Sequence, residues 1–236
     1  MDTRANATPA TSIVANARWA PCRSERVAES RIAGVWQGIG TGSQRTRAFG
    51  QTLAMQHPTR GQLEAGLDEI RRSPVDDGTL ELIVRRPAVD EREVLAVGDL
   101  SVDEGLVGDT WNQRPSRRTE DGSPHSDMQL NLVNSRLLAL ISPDPDRRPL
   151  SGDQLVVDLE MSSANLPPWT RLAIGGAVIE VTDQPHTGCA KFSGRFGADA
   201  LRLVNSEVGR SLNLRGVNAR VVEPGPIHRG DRIEKV

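Results

Sequence analysis

The 236-residue sequence has no tyrosine, only three phenylalanines and four tryptophans, and almost no lysine among its 29 basic residues. So few aromatic side chains offer little surface on which single-stranded bases could stack. The formal net charge of −2 also argues against the broad positive surface that nucleic acid binding requires. No apolar run approaches the ~20 residues of a membrane-spanning helix. We therefore expect neither a nucleic acid nor a membrane partner.

Cysteine is equally scarce, since Cys22 and Cys189 are the only two. They form no disulfide framework, and the first 30 residues lack the apolar core of a secretory signal. The sequence therefore predicts a cytoplasmic protein. Two cysteines cannot hold a four-cysteine iron–sulfur cluster, and no flavin-binding module is recognisable. A redox function would need electrons from a separate donor.

The chain divides into three parts. Residues 1–56 mix alanine, threonine, serine, glycine and arginine without periodicity, which predicts a poorly ordered N-terminal extension. Within it, Gly38–Gly42 has the glycine content of a phosphate loop but follows no convincing strand and lacks the Gly-Lys-Ser/Thr ending. Residues 57–77 predict an amphipathic helix and a turn, and residues 78–236 a separate domain.

The predicted helix begins with a capping box, in which Thr59 is followed three residues later by Gln62. Leu63, Leu67 and Ile70 then recur at helical spacing on one face, which we expect to pack on the main domain. Pro74 ends the pattern.

Residues 78–236 are rich in short apolar runs separated by turn residues. Runs of strands with occasional helices favour a mainly β domain over a doubly wound α/β sheet, in which the two would alternate. Helical patterns occur at Ser135 to Ile141 and Gly197 to Val204. The predicted strands lie at 80–85, 94–97, 129–133, 155–159, 171–174, 177–182, 217–222 and 231–236.

Cys189 is the best candidate for chemistry. It lies in a loop between a predicted strand and a helix, with His186 three residues before it and Lys191 two residues after it. Such neighbours favour the thiolate, the form that binds metals and attacks sulfur. The competing interpretation is a buried cysteine that packs as a small hydrophobe.

Several short segments around Cys189 follow one another in a characteristic order, and they lie at 105–109, 128–134, 150–155, 165–166, 172–175, 178–182, the cysteine at 189, 215–225 and 230–233. Through these segments, the chain from residue 78 onward resembles the MOSC domain family, named after the C-terminal part of molybdenum cofactor sulfurases. The resemblance departs from the usual pattern in two places. Thr187-Gly188 precedes the cysteine where many members have a proline and a basic residue, and Asp153 replaces a glutamate well before Asn165-Leu166.

The resemblance implies a closed β-barrel and two possible roles for Cys189. In one, Cys189 ligates the molybdenum of a pterin-type cofactor, and the protein acts on a small-molecule substrate as a reductase. In the other, Cys189 carries a persulfide for the assembly of a metallo-sulfur cofactor, supplied by a pyridoxal-phosphate sulfurtransferase. His186 is a second catalytic candidate, either as a proton donor or as a residue that orients the loop.

Further polar residues are candidates for contacts with an anionic cofactor, because arginine binds phosphate through two parallel hydrogen bonds. We interpret Arg85-Arg86, at a strand end, as plain surface, because adjacent strand residues point to opposite faces. The cofactor-binding candidates are Lys191, Arg114, Arg117, Arg118, Asn131 and Asp109.

Two alternatives involve different chemistry. His125, Asp127, His186 and Cys189 could converge on zinc and form a hydrolase site, with water as the last ligand. The domain could instead be a non-catalytic cofactor-binding scaffold that uses the helix at 59–72 as a docking surface.

Overall fold

A computed structural model describes residues 57–236, and the architecture below is that of these residues. The N-terminal extension, with Cys22 and Gly38–Gly42, lies outside them. The strands are β1 (Gly78–Arg85), β2 (Glu93–Leu95), β3 (Val97–Ser101), β4 (Gly105–Leu106), β5 (Leu130–Asn134), β6 (Leu155–Asp158), β7 (Arg171–Ile174), β8 (Ala177–Val181), β9 (Val217–Glu223), β10 (Gly225–His228) and β11 (Arg232–Lys235). The α-helices are α1 (Arg60–Ala65), α2 (Leu67–Arg71), α3 (Ser135–Ile141), α4 (Ala190–Phe196), α5 (Ala198–Val204) and α6 (Glu207–Ser211).

Seven strands form a closed barrel in the order β11-β7-β8-β9-β5-β6-β1. The barrel closes where β1 pairs antiparallel with β11, with Gly78 opposite Ile233. Only β5 and β6 run parallel within the ring, and β2 extends it at the other side of β1. Strands β3, β4 and β10 form a separate three-stranded sheet. The expected mainly β fold with a closed barrel is confirmed.

The barrel is filled by side chains, and it is not a pore. Branched aliphatic residues from all seven strands point inward, because strand residues alternate between the two faces. Leu80 and Ile83 of β1 pack there against Leu132 of β5 and Ile179 of β8, all with no exposed surface. The rigid barrel supports the loops that carry polar groups.

The helices cover one side of the barrel and form a second apolar core. Leu63, Leu67 and Ile70, the predicted apolar face, are buried there. The predicted helix is divided into α1 and α2 at Gly66, where a side chain would overlap Leu140, since an added Cβ would lie 2.4 Å from its Cδ1. None of the helices within residues 57–236 is long and apolar enough to cross a membrane.

Candidate functional site

A cavity of about 400 Å³ opens beside Cys189, and we call it the basic cavity. Its volume falls in the ~300–1,000 Å³ range of small-molecule sites. Cys189 is a free, exposed thiol, so the interpretation as a buried packing residue is wrong. Six cationic side chains line the basic cavity together with Cys189: Arg86, Arg92, Arg114, Lys191, Arg195 and Arg215.

The position of Cys189 is fixed by the residue before it. Gly188 donates from its N–H to the side-chain oxygen of Asn205 at 3.0 Å, and Asn205 donates back to the Gly188 carbonyl at 3.2 Å. An added Cβ on Gly188 would lie 2.7 Å from Leu201 Cδ1, so the backbone approaches α5 more closely than a side chain allows. Cys189 then serves as the N-cap residue of α4. The thiol is thus held at the edge of the basic cavity by a rigid element.

Arg86 forms one wall and is held by Asp109. Its Nη2 and Nε lie 2.7 and 2.8 Å from the two carboxylate oxygens, and the pair is buried. Arg86 Nη1 also donates to the Gly152 carbonyl at 2.9 Å. The interpretation of Arg86 as plain surface is therefore wrong. The strand end directs this residue inward, where a buried carboxylate compensates its charge.

Arg215 and Asp153 form a second buried ion pair. Arg215 Nη1 lies 2.7 and 2.8 Å from the two oxygens of Asp153, which has no exposed surface. Burial, the largest single effect, would raise the pKa of Asp153, but the positive charge and hydrogen bonds of Arg215, with contributions from His186 and Ser151, together outweigh burial, and the pKa lies below its ordinary value. Asp153 therefore stabilises an arginine of the cavity wall.

Arg92 and Arg114 differ from the two paired arginines of the cavity wall, because no carboxylate of residues 57–236 lies within ion-pair distance of either one. Burial and then the neighbouring positive charges, Arg195 first, lower the pKa of Arg92. Burial and Arg86 lower that of Arg114. The buried Nε of Arg92 also has no hydrogen-bond partner in the described part of the chain. Uncompensated positive charge and a free donor point to an anionic ligand.

Lys191 and Arg195, on α4, share a single carboxylate. Asp90 Oδ1 lies 3.3 Å from Lys191 Nζ and 2.9 Å from Arg195 Nη2. Arg195 is anchored through a second donor, Nη1, at 2.8 Å from the Leu150 carbonyl. Lys191 is exposed, so its ammonium group lies at the mouth of the basic cavity.

His186 does not line the basic cavity. Its Nε2 is 3.7 Å from Asp153 Oδ1, and its buried Nδ1 has no partner within residues 57–236. Burial, aided by the positive charge of Arg215, lowers the pKa of His186 from 6.5 to about 3. The imidazole is therefore neutral near pH 7.

The remaining candidates from the sequence separate into two groups. Arg114 and Asn131 line the basic cavity, and the amide of Asn131 donates to Asn218 at 2.6 Å. Arg117 and Arg118 are exposed and are not among its lining residues, and Arg118 instead bonds Gln184 at 2.8 Å.

The four residues of the zinc hypothesis do not converge. His125 Nδ1 accepts the N–H of Asp127 at 3.3 Å, and the carboxylate of Asp127 pairs with Arg220 at 3.1 Å. Within residues 57–236, no three His, Cys, Asp or Glu side chains come together as metal ligands. The zinc alternative is therefore wrong for the described residues.

A smaller cavity of about 200 Å³ adjoins the first, and we call it the side pocket. The two cavities share Arg86, Arg114 and Asn131 as lining residues. The rest of the side pocket is less charged, being lined by Trp111, Pro115, Ser116, His125 and Met128. A charged compartment and a more apolar one are therefore contiguous.

The comparison with protein families concerns the second half of the chain. Residues 126–234 match the family model described as MOSC domain. This part of the chain is similar to MOSC domains. The match confirms the resemblance inferred from the sequence. It includes Cys189 and Arg215, whereas Arg86, Arg92 and Arg114 precede the matched residues.

Solved structures are similar to this chain at low sequence identity. The YuaD protein from Bacillus subtilis is 17% identical and aligns over 67% of this chain and 94% of its own, with a TM-score of 0.50. YiiM from Escherichia coli is 19% identical and aligns over 67% of this chain and 69% of its own, with a TM-score of 0.44. The likeness to YuaD supports the barrel fold. A comparison with curated proteins finds no match.

Sequence reasoning missed Arg92, Arg195 and Arg215 as cavity residues. Arginine supplies nearly all basic residues of this chain, so an isolated arginine carries no signal. The sequence holds one weak signal near Arg215, which is the glycine that follows it. In the structure Gly216 has a φ of +105°, a conformation that favours glycine. An added Cβ at Gly216 would lie 2.0 Å from the Leu132 carbonyl oxygen and 3.3 Å from His186 Nδ1.

Proposed function

We propose that the MOSC-like domain binds an anionic, pterin-type molybdenum cofactor in the basic cavity, with the Cys189 sulfur as a ligand of the metal. In this proposal the protein is a small-molecule reductase that receives electrons from a separate donor. The observation that supports it is the exposed Cys189 thiol on the wall of a cavity lined by six cationic side chains.

The residues fit such a group in charge and in donor chemistry. A soft thiolate suits the metal, and arginine forks suit a phosphate. Arg92 offers a buried donor without a partner among the described residues, and Arg114 a guanidinium that no carboxylate of residues 57–236 approaches to ion-pair distance. The bound cofactor would supply the oxygen and electron transfer chemistry. Cys189, Arg92 and Arg114 would hold it.

The other site residues have supporting roles in this proposal. Asp109 and Asp153 hold Arg86 and Arg215 in place, so that both guanidinium groups face the basic cavity. His186, neutral near pH 7, packs beside Asp153 and acts as a positioning residue. The side pocket, with Trp111 and Met128, would accept the substrate next to the cofactor.

The second candidate is a persulfide carrier, and the accessibility of Cys189 favours it. An exposed thiol on a helix N-cap can reach a partner protein, such as a pyridoxal-phosphate sulfurtransferase, and hold the sulfur it delivers. In this alternative, no metal remains bound.

Metal and sulfur content tests both proposals. The full chain would be purified from a molybdate-replete host as wild type, Cys189→Ser and, as the matched control, Cys22→Ser. We expect nearly one molybdenum per chain in wild type and Cys22→Ser, and almost none in Cys189→Ser. Cyanide-released sulfur without molybdenum, lost only in Cys189→Ser, would support the carrier instead. Neither metal nor labile sulfur in wild type would overturn both.

A further inference from the structure

Asp90, an acidic side chain that lines the basic cavity, contacts two of its cationic side chains. Asp90 places a single carboxylate oxygen against both Arg195 and Lys191, at 2.9 and 3.3 Å. Among the residues that line the cavity in the described chain, Asp90 is the only carboxylate. A ligand anion that sought these two cations would meet Asp90 there.

Asp90 is held at this point by a short, defined segment. Residues 86–92 connect β1 and β2, beginning at the buried Arg86 and turning through a bond from Glu91 N–H to the Ala88 carbonyl at 3.2 Å. Asp90 itself adopts a φ of +61°, a left-handed conformation that aspartate tolerates better than most residues. The backbone thus directs this carboxylate toward α4.

The contact of Asp90 can nevertheless be broken. The side chains of Asp90 and Lys191 are both mainly exposed, and exposed ion pairs contribute little net free energy because water screens them. Moving the Asp90 carboxylate into solvent would free Lys191 and one donor of Arg195, while Arg195 keeps its bond to the Leu150 carbonyl.

The charge of the basic cavity indicates which anion can displace Asp90. Six cationic side chains line it, and three carboxylates, those of Asp90, Asp109 and Asp153, compensate them. The excess positive charge lies nearest Arg92 and Arg114. A monocarboxylate that replaced Asp90 would bring the same charge and the same number of acceptor oxygens as the Asp90 side chain. A dianionic phosphate or sulfate adds charge and oxygen acceptors that one carboxylate lacks.

We infer that Asp90 is a displaceable internal competitor for the anion subsite formed by Lys191, Arg195 and Arg92, and that it makes the basic cavity selective for dianionic phosphoryl-type groups over carboxylates. This inference deepens the proposed function, since it concerns the same cavity, but its test requires neither molybdenum nor the Cys189 thiol.

The test is anion binding by calorimetry at constant ionic strength, on the full chain from molybdate-depleted cells. The probes are inorganic phosphate and sulfate as dianions and acetate as the monoanion. Asp90→Asn removes the competitor, and Asp103→Asn removes one negative charge from an exposed turn that lines neither cavity. Arg195→Gln removes one cation of the subsite.

We expect wild type and Asp103→Asn to bind phosphate and sulfate in preference to acetate. Asp90→Asn should bind phosphate about fivefold more tightly, which is ~1 kcal/mol, and should gain acetate binding. Arg195→Gln should lose most of the affinity for phosphate. Unchanged or weaker phosphate binding in Asp90→Asn, or acetate binding equal to phosphate in wild type, would overturn the inference.

The two proposals can fail separately. A molybdenum-containing holoprotein whose Asp90→Asn variant shows no gain in anion affinity contradicts only the role of Asp90. A clear gain in Asp90→Asn, in a protein that never acquires molybdenum, supports the anion subsite and contradicts the proposed cofactor.

Discussion

The guanidinium carbon of Arg215 lies 5.1 Å from the centre of the Phe192 ring, so a residue just before barrel strand β9 contacts the helix that follows Cys189. Arg215 is also paired with the fully buried Asp153. The same side chain therefore connects the barrel end, the basic cavity and helix α4. Its positive charge is attracted to the face of the aromatic ring.

Removing this guanidinium should destabilise the fold strongly. Arg215→Met leaves Asp153 buried without a counter-ion, and we expect a loss of about 3–5 kcal/mol in the free energy of unfolding by urea. Arg202→Met is the matched control, because Arg202 makes an exposed pair with Asp199, and should cost about 0.5 kcal/mol. Similar losses in the two variants would show that the buried pair contributes no more than a surface one.

His186 predicts how stability depends on pH. Its pKa is about 3 in the folded protein and close to 6.5 in the unfolded chain. Between these values the unfolded chain binds a proton that the folded protein does not. Titration of His186 therefore leaves the free energy of unfolding unchanged above pH 6.5. As the pH falls from 6.5 toward 3, it lowers the free energy of unfolding by up to about 1.4 kcal/mol per pH unit.

Replacing His186 should remove this slope. The free energy of unfolding would be measured from pH 7 to pH 4 for wild type, His186→Gln and His228→Gln, which changes an exposed histidine. We expect the wild-type slope to persist in His228→Gln and to become shallower in His186→Gln. Parallel curves for all three proteins would mean that His186 does not titrate differently in the two states.

The charge of the basic cavity should govern the reactivity of Cys189 toward charged reagents. In a Cys22→Ser background, the dianionic Ellman's reagent should react faster, relative to neutral iodoacetamide, than it does with a free cysteine. Arg114→Gln should lower this rate ratio several-fold at low salt, and 1 M salt should remove the effect. Arg117→Gln removes the same charge outside the cavity lining and should leave the ratio unchanged. An equal decrease in both variants would refute a local field at the thiol.

Much of the fold could be predicted because its signals are local. Strand β7 occupies the predicted residues 171–174, and α3 the predicted 135–141, with Asn134 as an N-cap that accepts from Arg136 and Leu137 N–H groups. Helix α4 was missed, since its seven residues include Gly194 and follow the cysteine loop directly. The prediction that the barrel closes rested on the family resemblance. The paired strands β1 and β11 are too far apart in sequence for a local pattern to predict their pairing.

The sequence indicated Cys189, Lys191, Arg114 and Asn131, which line the basic cavity, but it did not indicate the ion pairs that hold the cavity wall. Arg86 and Arg215 lie at opposite ends of the domain sequence, and each depends on a buried carboxylate that the sequence does not connect to it. For the same reason, the sequence indicated Asp109 only as a cofactor-binding candidate and Asp153 only as a departure from the family pattern. Burial of paired charges is a property of the tertiary structure, and only the assembled barrel brings the partners together.

The most direct test of the account compares two double variants that each remove two positive charges. Arg92→Gln/Arg114→Gln changes the uncompensated arginines of the basic cavity, and Arg117→Gln/Arg118→Gln changes two exposed arginines outside its lining. Molybdenum and oxidised pterin would be quantified per chain after purification from a molybdate-replete host. We predict that the first variant loses most of both and that the second retains wild-type amounts. Full cofactor content in the first variant, or equal loss in both, would contradict the assignment of the basic cavity as the cofactor site.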